Sequence, residues 1–196
     1  MAALAICCAC SKPSSDAPTH ESDDWWRNAI ASLTQEQKRW YEADKAAGKD
    51  SSWMLTAPNP PASDVEIADA EARAGVKLDE QYKEWLRHTN GWRFFSGGDS
   101  LYPTGELSKD SRDRTILLGV IDEYGVQPGE LEMRSFEPLV VIGGASGDYF
   151  IATVGCEQSG CATAPVWEIS GGDHVKYGSF QEFLQARIDR MKNTRR

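Results

Sequence analysis

Histidine is scarce in this 196-residue chain, which has only His20, His88 and His174. Nucleophiles activated by an imidazole base are correspondingly few, and His88 falls at the end of a helical segment, where bonding to the helix terminus is its ordinary role. No apolar run approaches the roughly 18 residues of a membrane-spanning helix. Positive charge is also in deficit. Lys and Arg number 21 against 30 Asp and Glu, a net charge of -9, and such a balance repels phosphate backbones and sets nucleic acid aside as a partner. The stretch Gly144-Ala145-Ser146-Gly147-Asp148 lacks the second glycine of a nucleophile elbow and the helix that should follow it. It lacks the lysine of a phosphate loop as well. No EF-hand pattern of carboxylates appears. A hydrolase using Ser146 or His174 stays as the enzymatic alternative. The residue chemistry otherwise reads as that of a binder, with no catalytic residue, no cofactor and no metal.

Cysteine is sparse in the body and concentrated at the start: Cys7, Cys8 and Cys10 lie in the first ten residues, and only Cys156 and Cys161 follow. The join between the apolar MAALAICCAC and the polar SKPSSDAPTHESDD resembles the end of a bacterial lipoprotein signal, with Cys10 as the acylated residue. No Lys or Arg precedes Lys12, whereas a secretory signal needs a basic start, so a start codon placed too far downstream or a disordered terminus with incidental cysteines are the competing readings. Cleavage before Cys10 would leave Cys156 and Cys161 as an even pair. In a loop with Gly155, Ser159 and Gly160 they can close a small disulfide in an oxidising periplasm. Zinc is the other use of such spacing, with His174 as a third ligand but no fourth.

The rest of the chain is organised around LVVIGGASGDYFIATV, residues 139–154. Two short runs rich in β-branched residues flank a turn with three glycines, which predicts an antiparallel hairpin at the centre of a sheet. Before it, Asp24 is expected to cap a helix carrying Trp26, Ile30 and Leu33 on one face, and Thr34 with Gln37 has the form of a capping box for a second helix ending near Gly48. PNPPAS at 58–63 then breaks the chain. Residues 1–22 therefore read as a signal end and tether, 23–57 as a helical extension and 58–192 as the main domain. Within that domain, Ser63 with Glu66 caps a helix that Gly75 stops, and Asp79 caps another with Tyr82, Trp85 and Leu86 on its inner side. Trp92, Phe94 and Phe95 lead into the sheet. LYPTGEL is expected as a strand edge and turn, and residues 116–124 fit a strand or a short helix, the helix being preferred. APVWEI and the segment His174 to Tyr177 read as strands, and Ser179 with Glu182 caps a final helix bearing Phe180, Phe183, Leu184 and Ile188. The fold class is α+β, a mainly antiparallel central sheet backed by helices with an N-terminal helical extension. Trp85, Phe150 and Phe183 are assigned to its core.

The ordered run PASDVEIADAEARAGVKLDEQYKEWLRHTNGW, LVVIGGASGDYFIATV, APVWEI and YGSFQEFLQARI resembles the SUKH superfamily, the Smi/Knr-like domain, over roughly residues 60–190. The resemblance implies a compact α+β domain without enzymatic activity. It also implies a bacterial immunity protein that binds and neutralises a cognate toxin by direct contact. An envelope-associated regulatory or scaffolding module linked to wall synthesis is the alternative, drawn from the fungal relatives. The tryptophan-rich extension and Cys10 depart from the plain domain and point to a periplasmic, lipid-anchored location rather than the cytoplasmic default.

Charge is unevenly spread. From Arg187 onward there are five Lys or Arg and one Asp, leaving 16 basic and 29 acidic residues before it, a balance of -13. A basic toxin suits such a body. The expected contact region is the open sheet edge and its flanking loops: Trp92, Asp99, Tyr102, Glu106, Asp122, Glu123 and Asp148. Aromatic anchors can supply hot spots and carboxylates can steer encounter. Taken singly, each acid reads as a solvated surface charge; the clustered excess is what suggests a partner. For the anchor, labelled palmitate is expected to enter the protein in its native host and to be lost in Cys10→Ala, and an unlabelled wild-type protein would remove the membrane from the reading.

Overall fold

Side-chain caps set most helix boundaries in the computed structural model, which describes residues 20–194 except 146 and 148. Cys10 and Asp148 therefore lie outside the described residues. Ser63 and Glu66 form a reciprocal capping box at the start of helix α2 (Asp64–Ala74), and Gly75 ends it in the left-handed region. Asp79 caps α3 (Glu80–His88) by accepting the Tyr82 amide, and Ser179 caps α5 (Phe180–Asn193) through the Glu182 amide. The ambiguous stretch at 116–124 falls, but for its last residue, in helix α4 (Arg112–Glu123), with Ser111 as its cap.

The N-terminal segment differs from the expected pair of helices. It is one helix, α1 (His20–Ala46). Thr34 does not start a new helix because its hydroxyl donates back to the Ile30 carbonyl at 2.9 Å, the usual habit of a mid-helix threonine. Gln37 does not close a capping box either, because its amide reaches across to the Phe94 carbonyl at 2.8 Å.

Six strands form one antiparallel sheet in sequence order: β1 (Trp92–Ser96), β2 (Asp99–Leu101), β3 (Leu139–Gly144), β4 (Tyr149–Val154), β5 (Val166–Ser170) and β6 (Asp173–Tyr177). The predicted central hairpin is β3–β4, and every residue of β3 is buried. Two covered faces explain that pattern. On one face, α1, α2, α3 and α5 bury Val140, Ile142, Ile151 and Val166; on the other, α4 and the chain after it bury Val141, Phe150, Ala152, Trp167 and Ile169. Of the expected strand edge LYPTGEL only Leu101 lies in a strand, and that strand, β2, is interior, pairing with β1 on one side and β3 on the other. Glycine makes this approach feasible. A Cβ at Gly143 would run into the Ser100 carbonyl oxygen, and one at Gly144 would lie 2.5 Å from the Tyr149 carbonyl oxygen.

The first face holds an aromatic cluster in which Phe180 lies 4.9 Å from Tyr82, 5.8 Å from Trp85 and 6.3 Å from Trp26, ring centre to ring centre. Trp26 and Leu33 of α1 are as buried as the residues of the main domain. At its other end α1 is tied to α5, where the Trp40 indole donates to the Met191 carbonyl at 2.9 Å. Cys156 and Cys161 form a disulfide, so both thiolates of the zinc alternative are engaged, and His174 packs against Trp167 instead. The disulfide loop is joined to the turn before α3. Cys156 donates its amide to the Lys77 carbonyl at 2.7 Å, and Glu80 donates to the Cys161 carbonyl at 3.0 Å. Between these bonds Asp79 is almost wholly enclosed, and burial pushes its carboxyl up to about 6.

A buried ion-pair cluster lies beneath α5. The guanidinium of Arg187, 3% exposed, lies 2.8 Å from Asp99 and 2.9 Å from Glu168, and Glu168 also accepts the Tyr177 hydroxyl at 2.8 Å. Burial pushes Arg187 down to about 10, which leaves it charged at neutral pH, and the rings of Tyr149 and Phe183 flank it. This knot fastens α5 to strands at both sides of the central hairpin. Arg187→Met would leave buried Asp99 without a cation and Glu168 with only Arg190, 3.6 Å away, and the expected loss of unfolding free energy is about 3–5 kcal/mol by chemical denaturation. A loss below about 1 kcal/mol would rank the knot with ordinary surface ion pairs.

Candidate partner-binding surface

The strand WRFFS cannot alternate cleanly, because three of its first four residues are large and aromatic, with Phe94 and Phe95 adjacent. The chain resolves the conflict with a bulge. Trp92 pairs with Leu101 and Ser96 with Asp99, so three β1 residues face the single Ser100. Phe94 takes a left-handed backbone with φ of 56°, a conformation disfavoured for a bulky side chain. Side chains hold it there: its amide donates to Ser100 Oγ at 3.0 Å, its carbonyl accepts from Gln37, and Thr56 donates to the neighbouring Arg93 carbonyl. Trp92 turns inward, wholly buried, with its indole N–H donating to the Thr56 carbonyl. Phe94 turns outward. Its ring meets the edge of Trp53 at 5.1 Å, and the Arg93 guanidinium sits 4.5 Å from its centre. Trp53 is 51% exposed, so a large apolar side chain faces solvent against this ring, and Leu55, two residues further along the chain, is 42% exposed.

A cleft of about 400 Å3 adjoins the ridge, between Asn59, Arg93 and Tyr102, with Glu106 at its rim. The Tyr102 hydroxyl donates to Asp113 of α4 at 2.5 Å, and burial together with that carboxylate pushes the phenol above its usual range. Glu106 is also held above the ordinary carboxylate range, first by partial desolvation and then by repulsion from Asp113. Among the described residues neither acid has an ion-pair partner. Glu71, by contrast, faces Lys77 at 2.6 Å and Lys83 at 3.8 Å, while Asp99 and Glu168 share Arg187.

The chain matches the model of the SMI1 / KNR4 family (SUKH-1) over residues 61–186. It belongs to that family. Among curated proteins none matches. The SUKH-1 match begins after α1, Trp53 and Leu55, so the ridge joins a residue of the family domain, Phe94, to a loop residue that precedes it.

Within this SUKH-1 domain the sequence-predicted contact residues do not form one patch. Tyr102 and Glu106 line the cleft. Trp92 is core, because the bulge that sends Phe94 out sends Trp92 in. Asp99 is committed to Arg187 beneath α5. Asp122 and Glu123 are exposed at the C-terminal end of α4, nine or more residues from Asp113 and so about 13 Å along the helix. Asp148 lies outside the described residues. The expected open edge is not open at β1, whose outer carbonyls at Arg93 and Phe94 are taken by Thr56 and Gln37. Sequence reasoning missed Trp53, Arg93, Phe94 and Asp113. The broken alternation of WRFFS was the available signal for the bulge; Asp113 reads as an ordinary acid in a helix first turn.

Because folding raises the Glu106 pKa, the folded state favours its neutral form, and stability is lost as pH rises through the carboxylate range. Glu106→Gln is therefore expected to melt slightly higher than wild type at pH 7 and to match it in acid. Thermal melts at both pH values check this, and a lower midpoint at pH 7 would mean that the carboxylate is compensated.

Proposed function

We propose that this protein is an immunity protein that neutralises a cognate bacterial toxin by direct contact. Its family supports the general reading, since SUKH-1 domains are commonly linked to toxin immunity. The observation that carries it for this chain is the joining of exposed Trp53 and half-buried Phe94 to a cleft lined by Arg93 and by Glu106, an acid with no ion-pair partner among the described residues. Such a surface suits recognition of a protein. The body's negative charge, -13 before Arg187, would speed encounter with a basic toxin.

The location that fits is the periplasmic face of a membrane, with Cys10 as the lipid-bearing residue. The Cys156–Cys161 disulfide supports an oxidising compartment. A toxin acting there would attack peptidoglycan or lipid. Co-expression is expected to rescue cells from the toxin encoded beside this gene and not from unrelated ones. Failure to rescue, together with a wall phenotype on deletion in cells without the toxin, would favour an envelope scaffolding role instead.

A further inference from the structure

The contact reading leaves open which face is used and what it takes, and three features of the β1 region converge on an answer. The first is backbone strain. Phe94 is one of two non-glycine residues with positive φ among those described, and side chains from α1 (Gln37), from β2 (Ser100) and from the loop before α2 (Thr56, through Arg93) hold the bulge that presents it. A bulky aromatic kept in a disfavoured conformation, with its ring outward, contributes little to the core that a glycine would not allow at lower backbone cost. The second is exposure: Trp53 extends the ring of Phe94 into an apolar ridge, and Leu55 two residues along the chain is exposed as well. The third is charge order. Arg93 touches the Phe94 ring and also lines the cleft, where Glu106 stands without an ion-pair partner among the described residues; Asp113 lies behind, bonded to the Tyr102 hydroxyl. Along the surface the sequence is apolar, positive, negative.

We propose, on the premise that the protein works by contact, that this ridge and cleft form the docking face for a basic protein segment. Its arginine or lysine enters the cleft toward Glu106, and an apolar side chain beside it packs on Trp53 and Phe94. Arg93 repels a second cation between the two and accepts a backbone carbonyl or an acidic side chain of the partner. The acids at the far end of α4, Asp122 and Glu123, lie outside this face and serve as its internal control.

The test uses the full chain and two probes. The first is a library of short random peptides displayed on phage and selected against the folded protein. Enriched peptides are expected to carry Arg or Lys next to an apolar residue. They should lose about tenfold or more in affinity on Phe94→Gly, Trp53→Ala or Glu106→Gln, and keep it on Asp122→Asn with Glu123→Gln, which removes more charge elsewhere. No enrichment, acidic peptides, or binding that follows the α4 pair would overturn the proposal. Phe94→Gly has a second readout: because glycine accepts the left-handed backbone, its melting midpoint should equal or exceed wild type while binding falls. A large drop in midpoint with binding intact would assign Phe94 to structure alone. The second probe is the toxin encoded beside the gene. Rescue by wild type that survives all three ridge and cleft substitutions keeps the immunity reading and overturns this face. Failure of wild type to rescue overturns the immunity reading, and the peptide selection then decides the docking face by itself.

Discussion

Water is kept from both sides of the β3–β4 hairpin, and that requirement governs the rest of the architecture. A strand whose every residue is buried has no face to give to solvent, so the chain must supply cover twice. Four helices do so on one side and α4 on the other. Close approach is the companion demand. Gly143 and Gly144 leave room for β2 and β4 where any side chain would strike backbone. The short β2 becomes an interior strand, the strain of fitting WRFFS falls on β1, and β1 responds with the bulge that turns Phe94 outward.

The protein treats its carboxylates unequally. Beneath α5 Arg187 lies between Asp99 and Glu168, and Glu168 also has Arg190 at 3.6 Å and the Tyr177 hydroxyl, so the cost of desolvation is offset within the molecule. Beside the cleft Asp113 has only the Tyr102 hydroxyl, and Glu106 has no ion-pair partner among the described residues. The same chain that places Lys77 and Lys83 around Glu71 leaves these two carboxylates facing each other's field. Unfavourable local electrostatics of this kind tend to persist where something outside the molecule completes them.

Much of the fold was legible because its signals are local. Ser63 with Glu66, Gly75, Asp79 and Ser179 each act within one turn of the chain, and their caps appear where their spacing places them. The hairpin at 139–154 and the α+β class follow from runs and turns of the same short range. What escaped depended on distant partners. Thr34 and Gln37 have the spacing of a cap, yet one bonds backward within the helix and the other bonds a strand residue 57 positions away. The contact residues divide for the same reason. Nothing near Asp99 in the sequence announces Arg187, and nothing near Trp92 says that the bulge will turn it inward, whereas Tyr102 and Glu106, four residues apart in one loop, stay together.

The helix α1 lies outside the matched family domain yet fills the same core, with Trp26 against Phe180 and Trp85 and Trp40 on Met191. Inheritance must therefore treat the two as one unit. A gene fusion or deletion that respects the family boundary at residue 61 would expose an aromatic cluster and release the carbonyl at the end of α5, so recombination that swaps the plain domain between relatives has no neutral breakpoint there. Descendants of this protein can diverge in their contact loops far more freely than they can trade the helix away.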